Sequence, residues 1–147
     1  VEDCIDDERL DTNIVVGDGQ TIREYEIFAY DEENDIAILV TSWKVTPLYD
    51  TSAVPQPGWW VMAIGSPWEL NSSVTIGNIV SSAQEFTNYD IVTTTQLNPG
   101  NSGGPLVNSR GEVVGINTLG VNDQESGAFF YIATHIDAIC EELVNCD

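Results

Sequence analysis

Turn signals break this chain into short strand-like pieces almost everywhere, a pattern that points to an all-β barrel or sandwich. Residues 13–17 are apolar-rich and run into Gly17-Asp18-Gly19. Residues 21–30 follow as a second strand candidate, closed by the polar turn Asp31-Glu32-Glu33-Asn34. Residues 36–41 are nearly continuously apolar, the pattern of a buried strand. Residues 46–58 hold Pro47, Pro55, Pro57 and Gly58 and read as a linker. Beyond it, residues 59–64 end at Gly65-Ser66-Pro67, and 74–81 and 90–95 are β-rich. Residues 106–107 and 112–117 flank a hairpin turn at Asn108-Ser109-Arg110-Gly111. Residues 128–133 make the last strand candidate. Only residues 136–144 read as an amphipathic helix, with Ile136, Ile139, Cys140 and Leu143 at helical spacing.

Composition narrows the function. The 147 residues are 42% hydrophobic, enough for a packed core. No apolar run reaches the ~18 residues of a membrane helix, so no membrane span is expected. Twenty-four acidic residues against four basic ones give a net charge of −20, which repels a phosphate backbone and argues against nucleic acid as a partner. Thirteen of the carboxylates lie in residues 1–35, six of them before residue 12. A solvated, solubilising surface accounts for them; attraction of basic substrates or adaptation to high salt is the functional alternative. The cysteines, Cys4, Cys140 and Cys146, are odd in number, so one is free or pairs outside the chain. Cys140 and Cys146 are close enough in sequence to bridge. None forms a CxxC pair, so no metal site is expected. Cysteine use favours an exported protein, secreted or in the periplasm or cell envelope. The chain opens at Val1 with no signal stretch, as a mature or processed form would.

The chemistry is concentrated in Asn98-Pro99-Gly100-Asn101-Ser102-Gly103-Gly104-Pro105-Leu106-Val107. A nucleophile for acyl transfer needs a hydroxyl clear of the backbone and two amides converging where an oxyanion develops. Glycines around a serine permit the dihedrals and the close substrate approach. Gly100 and Ser102 would supply the two N–H donors of an oxyanion hole. The bland alternative is a Gly-rich surface turn, but this motif is long and specific.

The loop resembles that of chymotrypsin-fold, trypsin-like serine proteases, and in the form Asn-Pro-Gly-Asn-Ser-Gly-Gly-Pro-Leu-Val-Asn it is similar to the HtrA/Deg branch. Asn34-Asp35-Ile36-Ala37-Ile38-Leu39 resembles the strand that carries the triad aspartate, 67 residues before Ser102. Val61-Met62-Ala63-Ile64-Gly65-Ser66-Pro67 and Val74-Thr75-Ile76-Gly77-Asn78-Ile79-Val80-Ser81 resemble the first strands of the second barrel. Gly115-Ile116-Asn117-Thr118 is similar to the strand against which substrate pairs. The resemblance implies an all-β, chymotrypsin-like double β-barrel. Residues 1–45 would be an incomplete N-terminal barrel and 46–58 a linker. Residues 59–147 would be a complete C-terminal barrel with a short C-terminal helix.

It also implies roles. Ser102 is the expected nucleophile and Asp35 the carboxylate that orients a general-base histidine. Gln96 and Leu97 would lie at the base of the primary specificity pocket, where the absence of an acid disfavours Lys or Arg and suits a small or medium apolar side chain. Thr118, Leu119 and Gly120 would form the edge that pairs with substrate polypeptide. No metal or cofactor is implied. The only histidine, His135, is expected at the surface or a helix start, not as the base. The family's histidine stands upstream of the aspartate in a Thr-x-x-His segment, which falls before Val1. A missing N-terminal segment of the same protein is therefore the expected partner, and these residues alone would be close to inactive. The alternative function is a catalytically inactive, protease-like module that binds extended peptides. A chance loop on an unrelated secreted β-domain is the third possibility.

Overall fold

A computed structural model describes residues 14–15, 21–22, 25–41, 46–48, 54–67, 73–82, 90–122 and 129–144. Its strands, in chain order, are β1 (Ile14–Val15), β2 (Thr21–Ile22), β3 (Tyr25–Asp31), β4 (Ile36–Thr41), β5 (Trp60–Gly65), β6 (Ser73–Ser81), β7 (Asp90–Thr93), β8 (Pro105–Asn108), β9 (Val113–Asn122) and β10 (Phe129–His135). The fold is all-β, as the sequence implies.

Strands β5 to β10 close into a six-stranded antiparallel barrel, in the order β10-β7-β6-β5-β8-β9. Period-two alternation sends Val61 and Ala63 of β5 inward while Trp60 stays exposed. Along β6 the same rule leaves Val74, Ile76 and Val80 outside and turns Ile79 in. With Ile91, Leu106, Val114 and Ala133 these inward side chains form one buried cluster, and Trp59 and Leu97 pack against it. Leu106 is 0% exposed at the centre of that cluster. Leu106→Ala removes buried methyl groups and leaves a cavity, so it is expected to cost about 2–5 kcal/mol, read as a lower denaturant midpoint.

Strand β7 stops at Thr93, two residues short of the sequence expectation. The reason is local. The Thr93 hydroxyl donates to Asn78 O (2.9 Å) and accepts from the Thr95 N–H (3.0 Å), which turns the chain off the sheet. Strand β9 runs on to Asn122 because β10 pairs with it as far as Phe129↔Asn122.

The first part of the chain builds two small ladders, β1 with β2 and β3 with β4, and no closed barrel among the described residues. The β3–β4 turn is organised by Asp31, whose Oδ1 accepts from the N–H groups of Glu33 (2.9 Å) and Asn34 (3.3 Å). One expectation is corrected here. Strand β4 is not a buried strand: Ile36 is buried, but Leu39 and Val40 are exposed. Among the described residues only β3 pairs with it, and its outer positions Leu39 and Val40 stay exposed.

The short C-terminal helix spans residues 137–143 and is π-helical over Ile139–Leu143, closed by Val144 N–H to Ile139 O (3.0 Å). It lies against β3. Cys140 within it is disulfide-bonded. Cys4 and Cys146 fall outside the described residues.

Candidate active site

The loop between β7 and β8 carries Ser102. Its shape follows from its backbone hydrogen bonds. Asn101 N–H donates to Asn98 O (2.9 Å) and Gly104 N–H to Asn101 O (3.0 Å). The Gly103 N–H reaches Asn117 O (2.8 Å), and Asn117 N–H returns to Gly104 O (2.8 Å), so β9 grips the far side of the loop. Gly100 O accepts from Ser66 N–H (3.1 Å), tying the near side to the end of β5. Gly100 sits at φ +103° and Gly103 at φ +79°, left-handed conformations that favour glycine.

These bonds use the amides of Asn101, Gly103 and Gly104. Among the described residues, the N–H groups of Gly100 and Ser102 donate to no backbone carbonyl. They are the two donors that the sequence assigns to an oxyanion hole. Asn101 between them is 2% exposed, and its side chain packs over Gly65, where an added Cβ would lie only 2.4 Å from Asn101 Oδ1. The buried Asn101 thus anchors the loop while Ser102 stands exposed on it. The Ser102 hydroxyl donates to Thr118 O at 2.8 Å.

The proposed substrate edge lies beside it. Strand β8 pairs with β9 only as far as Pro105↔Ile116. Past Asn117, β9 has β10 on one side and, among the described residues, no strand on the other. Leu119 and Gly120 are exposed on this stretch and Thr118 is half-buried. Gln96 is exposed, with its carbonyl held by the Thr75 hydroxyl at 2.6 Å. Leu97 is half-buried and packs against the barrel core.

Two rings missed from the sequence stand over this edge. A Cβ on Gly120 would lie 2.9 Å from Phe129 Cε1 and 3.3 Å from Tyr131 Cδ1. The rings meet edge to face with centroids 5.0 Å apart. The signal is there as i, i+2 aromatics on one strand facing a glycine on the next, but reading it needs the β9–β10 register.

Asp35 comes to the same end of the barrel through a chain of contacts. The Thr118 hydroxyl lies 3.2 Å from the Thr134 hydroxyl. Thr134 in turn donates to Asn34 O at 2.9 Å, the residue before Asp35. Asn34 and Ile36 are buried and Asp35 between them is exposed, at φ +52°. The sequence reading has this carboxylate at the mouth of a buried strand; the structure puts it on an exposed turn pinned at both flanks.

His135 ends β10 and is buried, 8% exposed, rather than on the surface or at a helix start. Its Nδ1 accepts from Asp137 N–H (3.2 Å) and lies 3.5 Å from Asp137 Oδ2. It follows Thr134 on the strand, so alternation sends it to the opposite face from the Thr134–Thr118 contact. The structure does not bring it to Ser102.

A closed antiparallel barrel with this serine loop and a docked, carboxylate-bearing hairpin is the architecture of the chymotrypsin-like class. Residues 3–116 match the family described as the trypsin-like peptidase domain, and the chain belongs to that family. It is 46% identical over 116 residues to serine protease HTRA1 of Xenopus laevis, covering 71% of this chain and 25% of that protein. It is 32% identical over 140 residues to a probable periplasmic serine endoprotease, DegP-like, of Chlamydia trachomatis, covering 90% of this chain and 27% of the relative. A solved structure of the serine endoprotease from Yersinia pestis superposes with a TM-score of 0.70 at 30% identity, covering 84% of this chain and 43% of that one. The chain therefore spans about a quarter of the length of these curated relatives.

Proposed function

We propose that this chain carries the nucleophile and carboxylate of a serine endopeptidase that hydrolyses peptide bonds through an acyl-enzyme on Ser102. The observation that carries the reading is the loop geometry: an exposed hydroxyl flanked by two amides that no backbone carbonyl engages among the described residues. In the reaction, the Ser102 hydroxyl turns from Thr118 O toward a base and attacks the substrate carbonyl. The Gly100 and Ser102 N–H groups hold the oxyanion. Asp35 accepts the Nδ1–H of a histidine, fixes its tautomer and stabilises the imidazolium. The exposure of Asp35 leaves a side from which that imidazole approaches.

Since His135 is held elsewhere, the base comes from a segment of the same protein outside these residues. Residues 1–45 belong to an N-terminal barrel that this segment completes, 46–58 to a linker and 59–147 to the C-terminal barrel. Several relatives are probable periplasmic serine endoproteases, which supports a periplasmic or secreted location.

Substrate polypeptide adds as a strand along Thr118–Leu119–Gly120. Phe129 and Tyr131 over Gly120 and the absence of an acid at Gln96 favour a small apolar side chain before the scissile bond. Phe129→Ala opens that space, so kcat/KM for a Phe at that position is expected to rise about tenfold relative to Val, measured on paired peptides.

The test is labelling by a serine-directed fluorophosphonate, in protein expressed together with the residues encoded ahead of Val1. Labelling lost in Ser102→Ala supports the peptidase. A folded, histidine-bearing protein that takes no label would instead be a peptide-binding module.

A further inference from the structure

We propose that Thr134 is a positioning residue whose hydroxyl holds the Asn34–Asp35 peptide and so aims the Asp35 carboxylate at the cleft beside Ser102. The proposal rests on the roles given to Ser102 and Asp35 above. Thr134 is 3% exposed on β10, opposite Ile116 of β9. Its Oγ1 donates to Asn34 O at 2.9 Å, a contact across 100 residues of chain.

Proton counting gives this contact a direction. A hydroxyl has one proton. Thr134 uses its own on Asn34 O, so its 3.2 Å contact with Thr118 Oγ1 is a hydrogen bond only when Thr118 donates, and the Thr118 hydroxyl has Ile116 O, also at 3.2 Å, as a second acceptor for its one proton. The Thr118 carbonyl meanwhile accepts from Ser102 Oγ at 2.8 Å. One threonine on the barrel wall thus joins the strand beside the nucleophile to the turn that carries the carboxylate.

The carbonyl of Asn34 and the nitrogen of Asp35 belong to one planar unit. Holding the carbonyl therefore fixes the axis about which the φ of Asp35 turns. That φ is +52°, a left-handed value that a residue with a Cβ takes only at a cost. Buried Asn34 and Ile36 fix the flanks, and the Thr134 bond fixes the peptide between them. Together they leave residue 35 exposed between two buried neighbours.

Valine at 134 keeps the volume and removes the donor to Asn34 O; serine keeps the donor. In the 147-residue chain, Thr134→Val is expected to speed amide exchange at Ile36 and Ala37 about tenfold, the loss of one buried hydrogen bond. Thr134→Ser should leave these rates near the parent's, and the Leu106 and Val114 amides should not change in either variant. Equal exchange at Ile36 and Ala37 in all three proteins would overturn the proposal.

In the histidine-bearing protein, Thr134→Val is expected to lower kcat about tenfold with KM unchanged, to be rescued by Thr134→Ser, and to have no further effect in an Asp35→Asn background. A loss of the same size in that background would overturn it, since Thr134 would then act on the fold and not through Asp35. If Ser102→Ala hydrolyses as fast as the parent, the peptidase reading fails by itself, and the exchange experiment still decides whether Thr134 holds the hairpin.

Discussion

Ser102→Ala is expected to lower kcat for peptide hydrolysis by about 10⁶-fold in the histidine-bearing protein, and Asp35→Asn by about 10⁴-fold. The two losses differ because the two groups do different work. Without the Ser102 Oγ no acyl-enzyme forms, and what remains is the oxyanion hole acting on water. With asparagine at 35 the nucleophile stays, but the imidazole loses the acceptor that fixes its tautomer. Asparagine also tolerates the left-handed backbone at this position, so the substitution tests the charge and not the turn. The double variant should be no slower than Ser102→Ala alone, because the residues act as a unit. Steady-state kinetics on one peptide, with folding checked by circular dichroism, reads all three.

Gly104→Ala is expected to destabilise the protein by about 3 kcal/mol and to lower Tm by about 10 °C. An added Cβ would stand 2.2 Å from Ile64 O and 3.0 Å from Asn101 O. Both are backbone atoms, so no side-chain rotation relieves the clash. Relief would require parting the Ser102 loop from the end of β5, and with it the bonds from Gly104 N–H to Asn101 O and from Asn117 N–H to Gly104 O. The neighbouring Gly103→Ala makes the control. A Cβ there meets nothing within 4 Å, so only its left-handed φ of +79° is penalised, at about 1–2 kcal/mol. Thermal melts of the two variants should separate clearly. Equal Tm values would mean that the loop does not pack against β5 as described.

Much of this arrangement is legible in the sequence, and the reasons are physical. The short apolar run at residues 59–64, and the turn chemistry of Asn108 and Gly111, report local preferences that the barrel keeps. The Gly100–Gly104 run is informative because so many small, turn-forming residues around one serine have few other uses. What stays hidden depends on contacts far apart in the chain. Thr134 reads as an ordinary strand residue until β10 closes the barrel beside the Asn34 turn. The left-handed Asp35 is invisible because the position is not a glycine. Strand β4 looks buried from its apolar run, yet burial depends on what covers it. His135 reads as a surface or helix-start residue, but the strand before it extends far enough to include and bury it. Phe129 and Tyr131 face Gly120 through a register that a bulge between Ile132 and Ala133 shifts.

The most direct test is the structure of the histidine-bearing protein after reaction with the fluorophosphonate. The adduct is expected on Ser102 Oγ, with its phosphoryl oxygen about 2.7–3.1 Å from the nitrogens of both Gly100 and Ser102, and with Asp35 bordering the same cleft. An adduct on another residue, or a phosphoryl oxygen turned away from those two amides, would contradict the assignment of Ser102 as the nucleophile of this fold.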